Sequence, residues 1–216
     1  MRLAKALLLI VVLALVATQF ALAGDKKHEI GLFVGNLSPS GELATDLVLG
    51  GETLQGTLEL DSATGYGIAY QYRLNEKFSL GAALLWSKHD VLVWTLPESG
   101  MIGSTTFTPL LIDGNFHLFR KHKSVDFYVG PTVGYAMWGD LQPKDIAVEF
   151  DITEPQKLKS NLVYGVNLGF DFPFKSVWAF NANVRYLWAK VEPDSADAQS
   201  IDVDPLLIAV GISYKF

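Results

Sequence analysis

The 216-residue chain contains no cysteine. That excludes a disulfide scaffold, a zinc-thiolate site and a cysteine nucleophile. Charge is sparse as well: 19% of residues are charged against 50% hydrophobic and 12% aromatic. Such a chain is too apolar to stay disordered. A basic excess is also missing, the formal net charge being -6. Nucleic-acid binders carry a basic footprint, so no nucleic-acid partner is expected. No glycine-rich phosphate motif sits on a strand-to-helix turn, and no His/Asp/Glu spacing marks a metal centre, so neither a cofactor nor a metal is expected. Beyond Gly24 there is no long apolar run. A membrane-spanning helix needs about 20 such residues.

The one long apolar run lies at the start. Arg2 and Lys5 precede an unbroken stretch from Ala6 to Ala17, and Ala21-Leu22-Ala23 follows. A positive start, a short apolar stretch and a small-residue cleavage site describe a secretory signal peptide. Residues 1–23 are therefore expected to be a signal peptide and 24–216 the mature domain. Arg2 and Lys5 leave with the leader, so the mature chain is more acidic than the whole.

The remainder alternates with period two. From Trp178 the even positions read Trp178, Phe180, Ala182, Val184, Tyr186 and Trp188, while Asn181, Asn183 and Arg185 lie between them. Strict alternation of this length predicts a strand. Eight such segments fall near 28–37, 63–73, 78–88, 105–118, 125–137, 160–172, 177–190 and 201–216. The links between them alternate in length. Asn75 to Lys77, Arg120 to Ser124 and Pro173 to Ser176 are short; 38–62, 89–104, 138–159 and 191–200 are long. Short turns on one side and long loops on the other is the layout of an outer-membrane barrel.

A soluble sandwich also alternates, but two features favour the barrel. Its apolar face carries aromatics near both strand ends, as at Trp178 and Trp188, and such rings prefer the bilayer interface. The opposite face is rich in Gly, Ala, Asn and Asp, which a sandwich core does not tolerate. The expected fold is all-β: an eight-stranded antiparallel transmembrane barrel in the cell outer membrane. Both termini then face the periplasm. Eight strands close a narrow barrel, filled by side chains or holding one small ligand.

Strand direction lets the lumen be read by height. Leu37, Leu85, Phe107, Leu111, Val163, Leu187 and Leu207 point inward near the outer mouth. Glu29, Gln71, Arg73, Asp113, Asn115, His117, Asp126, Asn167, Asp171, Asn181, Asn183 and Arg185 point inward lower down. The upper set forms an apolar pocket suited to a small hydrophobic ligand. Among the lower set, Asp113, Asn115, His117, Asn183 and Arg185 are expected to form a polar constriction. Its charges must pair, since unpaired buried charge is costly. The tail Val210, Ile212, Tyr214 and Phe216 resembles the signal read by the barrel assembly machinery.

Other features bear on other functions. The spacing puts His89 and His122 in connections, hence in solvent, and His117 inside as a hydrogen-bonded structural group. Ser87 and His89 share one face, as a lipid-modifying hydrolase requires, yet no third orienting group is evident. No enzyme is therefore expected. Acidic residues such as Glu149, Asp151, Glu154, Asp194, Asp197 and Asp202 read as solvated loop faces, with bridging to lipopolysaccharide through divalent cations a weaker reading.

Three stretches, Thr105-Thr106-Phe107-Thr108-Pro109-Leu110-Leu111, Phe127-Tyr128-Val129-Gly130-Pro131-Thr132-Val133-Gly134-Tyr135 and Asp204-Pro205 with Val210 to Phe216, occur in that order. Together they resemble the OmpW family across essentially the whole mature chain. The resemblance implies an eight-stranded barrel whose lumen takes small apolar molecules from outside, is closed toward the periplasm and opens laterally into the bilayer. It also implies an apolar constriction residue at Leu84 or Leu85, inward phase favouring Leu85. The family's aromatic constriction in the seventh strand falls at Arg185 here, and Asp113 is its expected partner. The partners implied are outer-membrane lipid, lipopolysaccharide and the assembly machinery, with the chain a monomer. The alternative is a structural or adhesive barrel acting through its loops.

Overall fold

Period-two alternation places one set of side chains on each face of a strand, and pairing every strand edge closes the sheet. The computed structural model describes residues 27–49, 52–94, 99–118, 125–144, 154–194 and 200–216. The expected leader, the Arg120 to Ser124 turn and His122 lie outside them.

The strands are β1 (His28–Ser38), β2 (Glu42–Leu49), β3 (Glu52–Leu60), β4 (Ala63–Arg73), β5 (Phe78–Trp94), β6 (Ser99–His117) and β7 (Asp126–Trp138). They continue with β8 (Gln142–Pro143), β9 (Leu158–Lys159), β10 (Asn161–Pro173), β11 (Trp178–Trp188), β12 (Lys190–Pro193), β13 (Ile201–Asp202) and β14 (Leu206–Lys215). The ring runs β1-β4-β5-β6-β7-β10-β11-β14, and β14 pairs back to β1 with Ile30 opposite Tyr214. Every neighbour is antiparallel. Closure satisfies the backbone from within, the condition for crossing lipid without a helix.

Three expectations about the connections are corrected. The long link 38–62 holds the hairpin β2-β3, whose second strand pairs with β5 at Leu58 and Val93. The link 89–104 is largely strand, because Val91 to Trp94 finds partners on β6 after a register shift between Val91 and Leu92. The last segment is two strands. Asp204 has a φ of 25° and Pro205 offers no N–H, so the ladder stops between β13 and β14. Asp tolerates this conformation better than most residues. Its side chain accepts a hydrogen bond from Ala189 N at 3.1 Å.

The short turns are chemically specified. Asn75 Oδ1 accepts from Lys77 N at 2.8 Å and Phe78 N at 3.0 Å. Asn favours such side-chain turns.

The outer wall is apolar and exposed, with Leu32, Val166, Leu168, Val184, Ile208 and Val210 among its residues. Aromatic pairs mark both ends of this band. Tyr66 against Trp86 and Tyr164 against Trp188 lie toward the long loops. Phe78 against Phe116 and Trp178 against Tyr214 lie toward the short turns. The eight steps along β10 from Tyr164 to Phe172 span about 27 Å. Tilted by about 40°, that is about 21 Å of height, close to the apolar band of an outer-membrane barrel.

Candidate functional site: a lumen in four layers

The lumen changes character from the long-loop end to the short-turn end. The uppermost layer is an apolar vestibule. The extensions of β5 and β6 rise above the ring and are joined by β3, β9, β12 and β13. Leu58, Leu60, Val91, Ile102, Leu158 and Val203 line a cavity of about 120 Å³. Ion pairs flank it: Lys144 with Asp90 at 3.2 Å, Lys159 with Glu192 at 2.7 Å and Lys190 with Asp202 at 3.0 Å. Glu192 and Asp202 hold the Lys159 and Lys190 ammonium groups above the usual lysine range. Glu154 and Asp194 are exposed; Glu149, Asp151 and Asp197 lie outside the described residues.

The next layer is a plug. Leu85, Phe107, Leu111, Leu187 and Leu207 are each 0% exposed, with Leu37 at 1% and Val163 at 2%. All seven residues of the apolar upper set thus meet in one cluster. They are packed against one another. Trp138 completes the cluster. Its ring lies 4.4 Å from that of Phe107 between centroids, and its Nε1 donates to Lys190 O at 3.1 Å. Sequence reasoning missed Trp138 because the strand was ended one residue early. Counting in twos from Asp126 reaches it.

Above Leu85 on the same strand, Ser87 and His89 share one face as expected, but the expectation that His89 lies in a solvated connection is corrected. His89 lies on β5 and is 1% exposed. Its Nδ1 donates to Asp61 O at 2.8 Å, and Ser87 Oγ donates to its Nε2 at 2.9 Å. The orienting group is an uncharged backbone carbonyl, and Ser87 is 2% exposed.

Below the plug is a polar chamber, and below that a charged floor. Arg185 reaches Asp113 Oδ2 at 2.6 Å, and Thr132 Oγ1 donates to Asp113 Oδ1 at 2.6 Å. Asn167 Nδ2 donates to Asn115 Oδ1 at 3.1 Å. Of the five residues expected in one constriction, Asp113, Asn115 and Arg185 belong to this network. Asn183 donates instead to Leu168 O at 3.3 Å. His117 belongs to the floor: its Nδ1 donates to Asp126 at 2.9 Å, and Ser79 Oγ donates to its Nε2 at 2.8 Å. Arg73 holds the other oxygen of Asp126 at 2.7 Å. Lys215 stands between Glu29 at 3.3 Å and Asp171 at 3.6 Å. The floor partners were legible only as inward residues, because which charges meet across a lumen depends on strand stagger.

The tail residues face outward. Val210, Ile212 and Tyr214 are 57%, 45% and 39% exposed. Phe216 stacks on His28, and the two residues exchange backbone hydrogen bonds at 2.8 and 3.1 Å.

A closed eight-stranded ring with an apolar outer wall, aromatic ends and a filled lumen is the architecture of an integral outer-membrane barrel. The OmpW family model matches residues 32–216, and the chain belongs to that family. It is 26% identical over 172 residues to outer membrane protein W of Vibrio cholerae serotype O1, covering 75% of this chain and 78% of that one. Its fold resembles the crystal structure of OprG from Pseudomonas aeruginosa, with a TM-score of 0.72, 21% identity and coverage of 88% and 95%. The solid-state NMR structure of AlkL gives a TM-score of 0.60 at 16% identity, with coverage of 88% and 90%. The protein is thus an integral protein of the outer membrane, embedded in its lipid.

Proposed function

We propose that the barrel passively admits small hydrophobic molecules from outside through its apolar vestibule and plug. The observation that carries this is the sorting of the lumen by height. A barrel needing only stability has no use for an apolar cup open above an apolar plug, since water fills a polar mouth equally well. An apolar guest gains by leaving water for such a cup. The charged floor then bars it from the periplasm, because a hydrophobic molecule displaces no paired charge favourably.

The exit is sideways. At plug height the β5-β6 ladder is interrupted between the pairs Leu84-Leu110 and Ser87-Phe107, opposite Pro109. Proline has no N–H to donate, so this seam lacks one ladder hydrogen bond where the guest would press on the wall. The plug side chains swing aside and the molecule leaves into the outer leaflet. Ser87 and His89 act here as a tie between β5 and Asp61, and no chemistry is assigned to them. The leader 1–23 directs export, Val210 to Phe216 guide the assembly machinery, and the barrel works as a monomer in contact with lipopolysaccharide.

The test is uptake of a long-chain alkane by cells whose own barrel of this kind is deleted. Leu85→Arg or Leu187→Arg places a charge in the plug. Uptake should fall at least about tenfold while the barrel stays folded, given the cost of an unpaired charge there. Unchanged uptake counts against the proposal.

A second reading is favoured by one observation: the plug is closed by its own side chains. A structural or adhesive barrel acting through its loops requires nothing else of the lumen. Replacing 38–62 or 138–159 with short turns would then abolish its phenotype while plug variants stay silent.

A further inference from the structure

The outer wall is apolar between its two aromatic rows, but one row higher, toward the long loops, it changes. Registry sets four residues side by side there. Asn36 on β1 lies opposite Thr64 on β4, and Lys88 on β5 lies opposite Thr106 on β6. The pair Gly65-Ser87 puts Thr64 and Lys88 in line between them. The alternate residues Leu37, Ala63, Ser87, His89 and Phe107 are buried in the lumen, so these four face outward. Asn36, Thr64 and Lys88 are exposed and Thr106 is half-buried. Neighbouring strands stand about 4.8 Å apart, so the row is about 14 Å wide.

The row holds a cation that no carboxylate takes. Lys190 makes the contrast on the opposite wall. It stands two residues beyond Trp188, as Lys88 stands two beyond Trp86, but Asp202 holds it at 3.0 Å. Lys88 has no ion-pair partner among the described residues. Asp90, two residues along its strand, is engaged by Lys144 at 3.2 Å. Asn36 is oriented for a ligand: Ser38 Oγ donates to its Oδ1 at 2.7 Å, which leaves its amide N–H groups to the outside. Directly below, the rings of Tyr66 and Trp86 stack with centroids 6.3 Å apart. Such rings settle at the level of the lipid headgroups. A lysine stem runs along apolar surface while its ammonium reaches the headgroups.

We propose that this row binds the phosphorylated sugar headgroup of one lipopolysaccharide molecule in the outer leaflet. Lys88 takes a phosphate, Asn36, Thr64 and Thr106 hydrogen-bond to sugar oxygens, and Tyr66 and Trp86 lie against the upper ends of the acyl chains. The inference rests on the lipopolysaccharide contact proposed above and gives it a place and a chemistry. The choice of lipid follows from both. The row lies at the long-loop end, which in such barrels is the outer side. A free phosphate would meet one exposed ammonium in open water, where an ion pair contributes little. A headgroup anchored by its own chains is already held at the height of the row, so its local concentration is high. A phospholipid headgroup without sugars leaves Asn36 and the two threonines without their partners.

Native mass spectrometry of the full barrel in detergent tests this, with bisphosphorylated lipid A, its dephosphorylated form and phosphatidylglycerol as probes. The wild type should retain bisphosphorylated lipid A at least about tenfold more tightly than the dephosphorylated form. Lys88→Gln should abolish that preference, and Lys190→Gln should keep it. Asn36→Leu with Thr64→Val should weaken retention of both lipid A forms by about threefold. Heat-modifiable migration on a gel reports that each variant is folded. Lipid A retained with a preference indifferent to Lys88→Gln leaves the general contact standing and overturns this site. Equal retention of the two lipid A forms, or phosphatidylglycerol held as tightly as lipid A, overturns the proposal as well. If Lys88→Gln fails to fold, the double variant decides alone, and unchanged retention in it overturns the proposal equally. None of these readouts depends on hydrophobic uptake, so the two proposals fail separately.

Discussion

The two halves of the lumen are closed by opposite means. The upper half is sealed by Leu37, Leu85, Phe107, Leu111, Leu187 and Leu207, which hold one another by packing alone. The lower half is sealed by Arg185-Asp113, Arg73-Asp126-His117 and Lys215-Glu29, which hold one another by charge and hydrogen bonds. Dispersion contacts are individually weak and non-directional, so a plug of leucines can repack around a guest. A buried ion pair has no such freedom, because moving one partner strands the other. The upper seal should therefore yield where the lower one stays rigid.

The largest expected effect lies in the rigid half. Asp113→Ala leaves Arg185 buried without its partner and should lower stability by about 3–5 kcal/mol. The double variant Asp113→Leu with Arg185→Leu should recover most of that loss. Urea unfolding from lipid vesicles measures both, and a double variant as unstable as the single one would show that the pair is not the cause.

In the yielding half the cost is smaller and uptake changes with it. Leu187→Ala should cost about 2–4 kcal/mol and quicken hydrophobic uptake, since part of the plug is removed. A variant that loses stability with no gain in uptake would indicate a plug that is structural only. Smaller again is the effect at Asp204, where the chain turns between β13 and β14. Asp204→Ala removes the acceptor for Ala189 N and places alanine at a positive φ, at a cost of about 1–2 kcal/mol by the same unfolding measurement.

The smallest effect is at the rim. Lys159 is exposed, and Glu192 raises its proton affinity. A raised folded value means the contribution is complete below the ordinary lysine value near 10.4 and is lost as pH rises through the higher folded value. Lys159→Ala should therefore leave the unfolding midpoint unchanged at neutral pH within error, as exposed pairs usually do. A clear loss would show that the rim is better ordered than an exposed pair allows.

Much of this contrast was legible in the sequence, for a definite reason. Alternation fixes which face a residue occupies, so Leu187 and Arg185 read as inward and Trp188 as outward without knowledge of any contact. Strand direction then sorted inward residues by height. Complementary charge at similar height made Arg185 and Asp113 an evident pair. What escaped depended on distance in sequence or on element ends. Asn167 meets Asn115 across 52 residues, and Arg73 meets Asp126 across 53, through a stagger no local pattern encodes. His89 was placed in solvent because its loop was taken to begin there. The strand continues, and the backbone carbonyl of Asp61 receives it. The hairpin β2-β3 was hidden for a similar reason: its partner is the extension of β5, which was not itself expected.

If the proposed uptake path is right, the upper seal opens for an apolar guest and the lower one does not. The most direct measurement is a crystal structure of the barrel with a brominated alkyl-chain probe, located by its anomalous signal. Bromine should lie in the vestibule by Leu60 and Val203 and between displaced Leu85 and Leu187 side chains, with Arg185-Asp113 unmoved. An undisturbed plug with bromine only on the outer wall would contradict it.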